Sequence, residues 1–276
     1  MLKKLARTLV ATSAAVTAIG GLAPAAQAVP GNTVVLGDSL AANPTLVDYA
    51  SGKANIPLPG GRVNTMGCGT DYRFSNAIGA ANGTPAANFT CAGASYRTGG
   101  IHMVDQLNQA AEKGELNGAT KQVVLFSGAN DTYPYVINDK MPVPQIKANL
   151  QGAMRDAINR AKQLAPNARI KVVGYPTIST AEGKVCLLNV IPGQPTQDAV
   201  TNIREIEDAA QWAAVDAARE TGVQFVDLKP MSAAHGMCSN DRWIAGIIDT
   251  TAGPHNLILH MTDAGLDAVG AAVGRA

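Results

Sequence analysis

Residues 34–40 read Val34-Val35-Leu36-Gly37-Asp38-Ser39-Leu40, and this stretch decides the fold. Its three apolar residues predict a short buried strand, and Gly37, which has no Cβ, allows a sharp turn after it. Asp38 and Ser39 then follow at the carboxyl end of the strand, where open α/β sheets bind their ligands. A serine hydroxyl becomes a nucleophile when a base removes its proton and nearby donors hold the resulting oxyanion. The rest of the chain must therefore supply a histidine and N–H donors.

Strands and helices alternate along the rest of the chain. Further strands are predicted over residues 88–91, 122–126, 170–173 and 223–226, and helices over 71–81, 101–112, 144–164, 196–222 and 262–273, the last with Thr262 as its N-cap. This alternation predicts a mainly parallel five-stranded sheet that is covered by helices on both faces.

Residues 1–28 have the pattern of an export signal. Three basic residues open the chain, an apolar stretch follows from Thr8 to Leu22, and Ala26-Gln27-Ala28 is a small-residue cleavage site. An uncleaved membrane anchor is the alternative, but the apolar stretch is short and rich in Ala, Ser, Thr and Gly. We predict a signal peptide over 1–28 and a single exported domain over 29–276.

Charge and hydropathy exclude some partners. Without the signal the chain has 19 basic and 21 acidic residues, a formal charge of −2. This balance gives no electrostatic reason to bind nucleic acid or an anionic membrane. No other segment has the roughly 20 apolar residues that an integral membrane span needs. We expect a monomer that acts on a small-molecule, lipid or glycan ester.

The four cysteines, all after the signal, indicate two disulfides, because an even count in an exported chain favours pairing. Three pairings are possible. We predict the sequential one, Cys68–Cys91 and Cys186–Cys238, which closes the shortest loops. A metal site is the competing interpretation, but no CxxC or HxxxH spacing supports it.

Three predicted strands end in turns with chemically useful groups. The first of these strands precedes Ser39. The second ends at Cys91-Ala92-Gly93-Ala94 and the third at Gly128-Ala129-Asn130-Asp131. The N–H groups of Ser39 and Gly93 and the side-chain amide of Asn130 could then converge on one oxygen. Alternatively, Gly93 serves only a tight turn and Asn130 an Asx turn.

The chain has four histidines, His102, His235, His255 and His260. We select His260, because a loop before the final helix of such a sheet can lie over the first strand. His260 and Ser39 are 221 positions apart, so only the fold can bring them together.

These blocks and their order resemble the GDSL or SGNH hydrolases, and most of all the secreted actinobacterial esterases and lipases. The blocks are Gly37-Asp38-Ser39-Leu40, Cys91-Ala92-Gly93-Ala94, Gly128-Ala129-Asn130-Asp131 and His260, and the stretch from His235 to Ile244 is also similar. The resemblance implies a flavodoxin-like three-layer α/β/α fold, Ser39 as nucleophile, His260 as base, and Gly93 and Asn130 as oxyanion donors.

One position departs from the family. Its members commonly have an aspartate three residues before the histidine, and here that position is Leu257. Some similar secreted members use a main-chain carbonyl instead, so the carbonyl of Leu257 is one candidate partner of His260. Asp249 is another, whereas Asp263 fits the first turn of the last helix.

The resulting hypothesis is a secreted serine esterase that cleaves carboxylic esters without a metal or organic cofactor. The enzymatic alternative is an envelope acyltransferase that uses the same acyl-enzyme. The other class is a non-catalytic envelope- or carbohydrate-binding protein that keeps the fold, and Leu257 is its best support.

Overall fold

The structure is a computed structural model that describes residues 31–56 and 58–276. The predicted signal peptide, residues 1–28, lies outside the described residues. Among the helices described, none combines the length and the apolar composition that a membrane span requires.

The central sheet has five parallel strands in the order β2-β1-β3-β4-β8. Two small two-stranded sheets, β5-β7 and β6-β9, lie outside it. The strands are β1 Thr33–Gly37, β2 Ala86–Asn88, β3 Gln122–Phe126, β4 Arg169–Val173, β5 Lys184–Val185, β6 Leu188–Asn189, β7 Asp198–Ala199, β8 Gln224–Val226 and β9 Ile248–Asp249. The predicted five-stranded parallel sheet is therefore confirmed.

Helices cover both faces of this sheet. They are α1 Ser39–Ala42, α2 Leu46–Ala54, α3 Arg73–Asn82, α4 Met103–Glu112, α5 Val143–Leu164, α6 Ile203–Thr221, α7 Lys229–Ser232 and α8 Asp263–Arg275. Thr262 is the N-cap of α8, as predicted, since its side chain accepts a hydrogen bond from the Gly265 N–H.

The core consists of two clusters, one on each face of the sheet. Val34 and Leu36 of β1 pack in the cluster that includes the apolar sides of α4, α5 and α6. Val35, between them, packs in the other cluster with Phe74 of α3 and Leu266 of α8. Successive side chains of a strand point to opposite faces, so a strand that is apolar at every position requires helices on both sides.

Two predicted boundaries were wrong. The second strand ends at Asn88 rather than Cys91, because the Asn88 side chain accepts the Thr90 N–H. Hydrogen bonds to β1 nevertheless continue beyond Asn88, because the Phe89 N–H donates to the Val35 carbonyl. The helix predicted over 196–222 begins only at Ile203.

The residues before Ile203 are held in an extended path. Asp198 pairs with Val185 in the β5-β7 sheet, and its carboxylate accepts the Leu187 N–H at 2.9 Å. The Thr196 hydroxyl accepts the Leu188 N–H at 3.1 Å. Tertiary contacts therefore override the helical pattern in this segment.

The cysteines pair sequentially. Cys68 is bonded to Cys91 and Cys186 to Cys238, with Cα atoms 5.3 Å and 5.0 Å apart. These separations fall in the range of ordinary disulfides. The first pair closes the loop that leads to Gly93, and the second ties the chain after β5 to the segment before the last helix.

Candidate active site

Ser39 is the first residue of α1, directly after β1. Asp38 is its N-cap, and the Asp38 carboxylate accepts the Leu40 N–H at 2.9 Å. Gly37 must be glycine, because a Cβ there would lie 2.7 Å from the Phe126 carbonyl oxygen. The tight turn therefore places the half-buried Ser39 side chain at the carboxyl edge of the sheet.

His260 lies against Ser39. Its Nε2 is 2.7 Å from the Ser39 Oγ, and its Nδ1 is 2.7 Å from the carbonyl oxygen of Ile258. A carbonyl can only accept, so Nδ1 carries the ring proton and Nε2 is free to accept the Ser39 hydroxyl proton. This is the tautomer that a general base needs.

The partner of the His260 Nδ1 differs from both candidates that the sequence offered. It is a main-chain carbonyl, but that of Ile258 and not that of Leu257. The left-handed backbone of Leu259, with φ 59°, turns the Ile258 carbonyl toward the ring that follows. Asp249 is engaged elsewhere, in a buried pair with Arg242.

The Arg242–Asp249 pair supports the loop that carries His260. Two nitrogens of Arg242 donate to the two oxygens of Asp249, at 2.8 and 3.0 Å. Asp249 also accepts the Gly246 N–H at 3.0 Å, and the Gly246 carbonyl accepts the Leu259 N–H. Asp249 therefore acts on His260 through the backbone, not as its direct partner.

Burial shifts the titration of the imidazole. Desolvation lowers the pKa of His260 below its ordinary value of 6.5, and the hydrogen bond to Ile258 only partly opposes this. The neutral form, which can accept a proton, therefore persists to lower pH than in a free imidazole.

We expect the acid limb of the kcat/KM profile for ester hydrolysis to have its midpoint below pH 6.5. An NMR titration of the His260 ring in the Ser39→Ala protein would assign that limb to the imidazole. A limb at or above pH 6.5 would contradict the expectation.

Asn130 and Gly93 lie on two turns that are tied together. The Asn130 side-chain amide donates to the Ala94 carbonyl at 2.7 Å, which leaves its second N–H free. Asp131 accepts the Arg97 N–H, and the Thr98 hydroxyl donates to the Asn130 carbonyl. In residues 31–56 and 58–276, the N–H groups of Ser39 and Gly93 have no acceptor. These donors remain available to a substrate oxygen.

Sequence reasoning missed Gln106. This fully buried side chain of α4 accepts the Gly37 N–H and donates to the Gly37 carbonyl, both at 3.0 Å. It thereby fixes both polar groups of the residue that ends β1. The only signal in the sequence was a polar residue beside the apolar side of an amphipathic helix.

The described part of the chain contains no cluster of three or more histidine, cysteine or acidic side chains that could hold a metal ion. Ser39 supplies a hydroxyl, His260 an imidazole, and the turns with Gly93 and Asn130 amide donors. Such a set can carry out acyl transfer through a covalent intermediate.

Known proteins resemble this chain in sequence and in fold. Lipase 2 of Streptomyces coelicolor is 26% identical over 276 residues, covering 88% of each chain. The crystal structures of phospholipase A1 from Streptomyces albidoflavus and of an extracellular lipase from Streptomyces rimosus share the fold. Their TM-scores are both 0.57, with 22% and 19% identity, and the matches cover 89% and 88% of this chain and 98% and 97% of theirs.

A model of the GDSL-like lipase/acylhydrolase family matches residues 35–268, a span that runs from β1 into α8. That span includes the turn with Ser39, the turns with Gly93 and Asn130, and the loop with His260. The chain therefore belongs to the GDSL-like lipase/acylhydrolase family and is a carboxylic ester hydrolase.

Proposed function

We propose that the protein is an exported serine esterase that cleaves acyl esters through Ser39 and His260. The observation that carries this proposal is the 2.7 Å contact between the His260 Nε2 and the Ser39 Oγ, across 221 positions of sequence. The predicted signal, the two disulfides and the likeness to an extracellular Streptomyces lipase support export.

The reaction follows from the contacts. Ser39 Oγ attacks the ester carbonyl carbon while His260 Nε2 takes its proton, and the carbonyl oxygen becomes an oxyanion. The N–H groups of Ser39 and Gly93 and the free N–H of Asn130 hold that oxyanion. His260 then gives the proton to the leaving alcohol, and an acyl-Ser39 remains. Water, deprotonated by His260, releases the carboxylic acid and restores Ser39.

An apolar surface beside His260 supports an acyl chain as the acid part of the substrate. Seven aliphatic side chains, each 41–53% exposed, make up this surface, which we call the aliphatic rim: Leu188, Val190, Ile191, Ile247, Ile248, Ile258 and Leu259. The segments 187–191, 246–248 and 258–259 that carry them contain no charged residue.

The three segments of the aliphatic rim are neighbours through their backbones. Leu188 pairs with Ile248 between β6 and β9, and the Ile247 N–H donates to the Leu187 carbonyl at 2.8 Å. The Leu259 N–H donates to the Gly246 carbonyl at 3.3 Å. An uncharged apolar surface whose residues Ile258 and Leu259 directly precede His260 favours a substrate with a hydrocarbon acyl chain over an acetyl ester.

The test is hydrolysis of p-nitrophenyl esters from acetate to decanoate, with Ser39→Ala as the control. We expect kcat/KM to rise with chain length beyond acetate and activity to disappear in the control. Added glycerol would separate hydrolysis from transfer to an alcohol. Equal rates with and without Ser39 would refute the proposal.

A substitution in the aliphatic rim should act on long chains alone. We expect Ile248→Ser to lower kcat/KM for the octanoate ester about fivefold, since losing about 1 kcal/mol of apolar contact has that effect. The acetate ester should be unaffected. The matched control is Trp212→Ser, on α6, because Trp212 is also 53% exposed. A similar fall in both variants would contradict the role of the aliphatic rim.

A further inference from the structure

Tyr175 lies two residues after β4, and its side chain is buried at the carboxyl edge of the sheet. Its ring packs against Phe126, the last residue of β3, with ring centroids 5.2 Å apart. The ring also approaches Gly128, whose added Cβ would be 3.8 Å from the Tyr175 ring. The hydroxyl is therefore held in one place, between the ends of β1 and β3.

That hydroxyl bridges two turns. The Ala129 N–H donates to the Tyr175 Oη at 2.8 Å. The Tyr175 O–H donates to the Asp38 carboxylate at 2.5 Å. A backbone N–H can only donate, so the single tyrosine proton goes to Asp38. Burial raises the pKa of Asp38 to about 6, and the bond from Tyr175 opposes that rise.

Each end of this bridge is next to a proposed catalytic group. Asp38 precedes Ser39 and also accepts the Leu40 N–H, which fixes the start of α1. Ala129 precedes Asn130 in a three-residue 3₁₀ turn, Ala129–Asp131. Gly128, before that turn, has φ 138°, a conformation that other residues rarely adopt. Contacts with residues 94–98 hold this turn on one side, and Tyr175 connects it to Asp38 on the other.

We infer that Tyr175 is a positioning residue that sets the Asn130 amide relative to the Ser39 hydroxyl by bridging Ala129 and Asp38. The inference rests on the proposed function. It adds a role at β4, a strand that supplies no group to the reaction itself. Donors that stabilise an oxyanion must be placed before the reaction, and a misplacement of about 1 Å can cost about 100-fold in rate.

The test is Tyr175→Phe, which removes the hydroxyl and keeps the ring. We expect kcat to fall about 10- to 100-fold, with KM within twofold, because the donor acts on the transition state. The matched control is Tyr96→Phe. Tyr96 is also buried, but its hydroxyl has no hydrogen-bond partner among the described residues. We expect its kcat to stay within twofold of the wild type.

A second background identifies the route of the effect. If Tyr175 acts through Asn130, adding Tyr175→Phe to the Asn130→Ala protein should lower kcat by less than about threefold. The full loss in that background would overturn the inference, as would a folded Tyr175→Phe protein with kcat within twofold of the wild type. If Tyr175→Phe does not fold, Asp38→Asn leaves a single amide oxygen for two donors, the Leu40 N–H and the Tyr175 O–H, and should likewise lower kcat at constant KM.

An NMR measurement separates this inference from the proposed function. The side-chain amide signal of Asn130, assigned with Asn130→Ala, should shift in Tyr175→Phe and not in Tyr96→Phe. That result would support the positioning role even if the wild-type protein showed no Ser39-dependent hydrolysis. An unchanged signal in Tyr175→Phe would overturn the positioning role even in an active esterase.

Discussion

Replacing Ser39 with alanine should lower kcat for p-nitrophenyl butyrate by at least about 10³-fold, as the loss of a nucleophile does in serine hydrolases generally. The acyl-enzyme cannot form without the hydroxyl, whereas the oxyanion donors remain. Only the slow attack of water on a bound ester is then left. Steady-state kinetics would measure this loss. A thermal melt should show an unchanged Tm, because the half-buried Ser39 side chain contributes little to stability.

The control for this experiment is Ser239→Ala, since Ser239 is also half-buried but lies in a turn beside Cys238. Its kcat should be unchanged. A fluorophosphonate probe should add to the peptide that contains Ser39 in the wild type and in Ser239→Ala, and to nothing in Ser39→Ala. If Ser39→Ala kept more than about a tenth of the activity, Ser39 would not be the nucleophile.

Removing Asp249 should strongly destabilise the folded chain. In Asp249→Ala the buried guanidinium of Arg242 loses its two-point partner, and the N–H groups of Gly246, Thr251 and Ala252 lose their acceptor. Breaking a buried pair in this way typically costs about 3–5 kcal/mol. Urea unfolding would measure the free energy of unfolding.

The matched control is Asp267→Ala. Asp267 also pairs with an arginine at 2.9 Å, but it is exposed, and Arg73 keeps a second partner in Asp263. We expect a loss below about 1 kcal/mol. An Asp249→Ala protein as stable as this control would show that the buried pair contributes nothing net.

The contribution of Asp249 depends on pH with a definite sign. Burial alone would raise the pKa of Asp249, but the hydrogen bonds from Arg242 and from the Gly246 and Thr251 N–H groups lower it well below its ordinary value. A carboxylate with a lower pKa in the folded chain stabilises the fold above about pH 5 and loses that effect as the pH falls. The difference in the free energy of unfolding between the wild type and Asp249→Ala, measured by urea unfolding, should therefore shrink as the pH falls.

Local pattern was enough to predict the sheet and most of its helices. The apolar run at Val34 and the run at 122–126 identify strands buried on both faces, and the observed clusters on the two sides of the sheet agree. The pattern failed at 196–202, where contacts with the chain near Leu187 hold an extended path. Those contacts join positions that no short window covers.

The candidate site was predictable in part, for a similar reason. Ser39 was selected because it follows a predicted strand and His260 because it precedes the last predicted helix, and the family resemblance pointed to the same two residues. Nothing local connects residues 221 positions apart. Gln106 and Tyr175 were missed, because each acts through contacts with the ends of other strands. The partner of the His260 Nδ1 was left open between the Leu257 carbonyl and Asp249, and the structure shows the Ile258 carbonyl, because the sequence of a loop does not give its path.

An acceptor made of backbone has a consequence for how the imidazole is held. A carboxylate that orients a histidine can be lost by one substitution or neutralised by acid, whereas the Ile258 carbonyl neither titrates nor belongs to a side chain. The ring orientation is therefore inherited from the course of the loop. A change in the orientation of the His260 ring would require a different main-chain path around Leu259, whose left-handed conformation is the feature to alter.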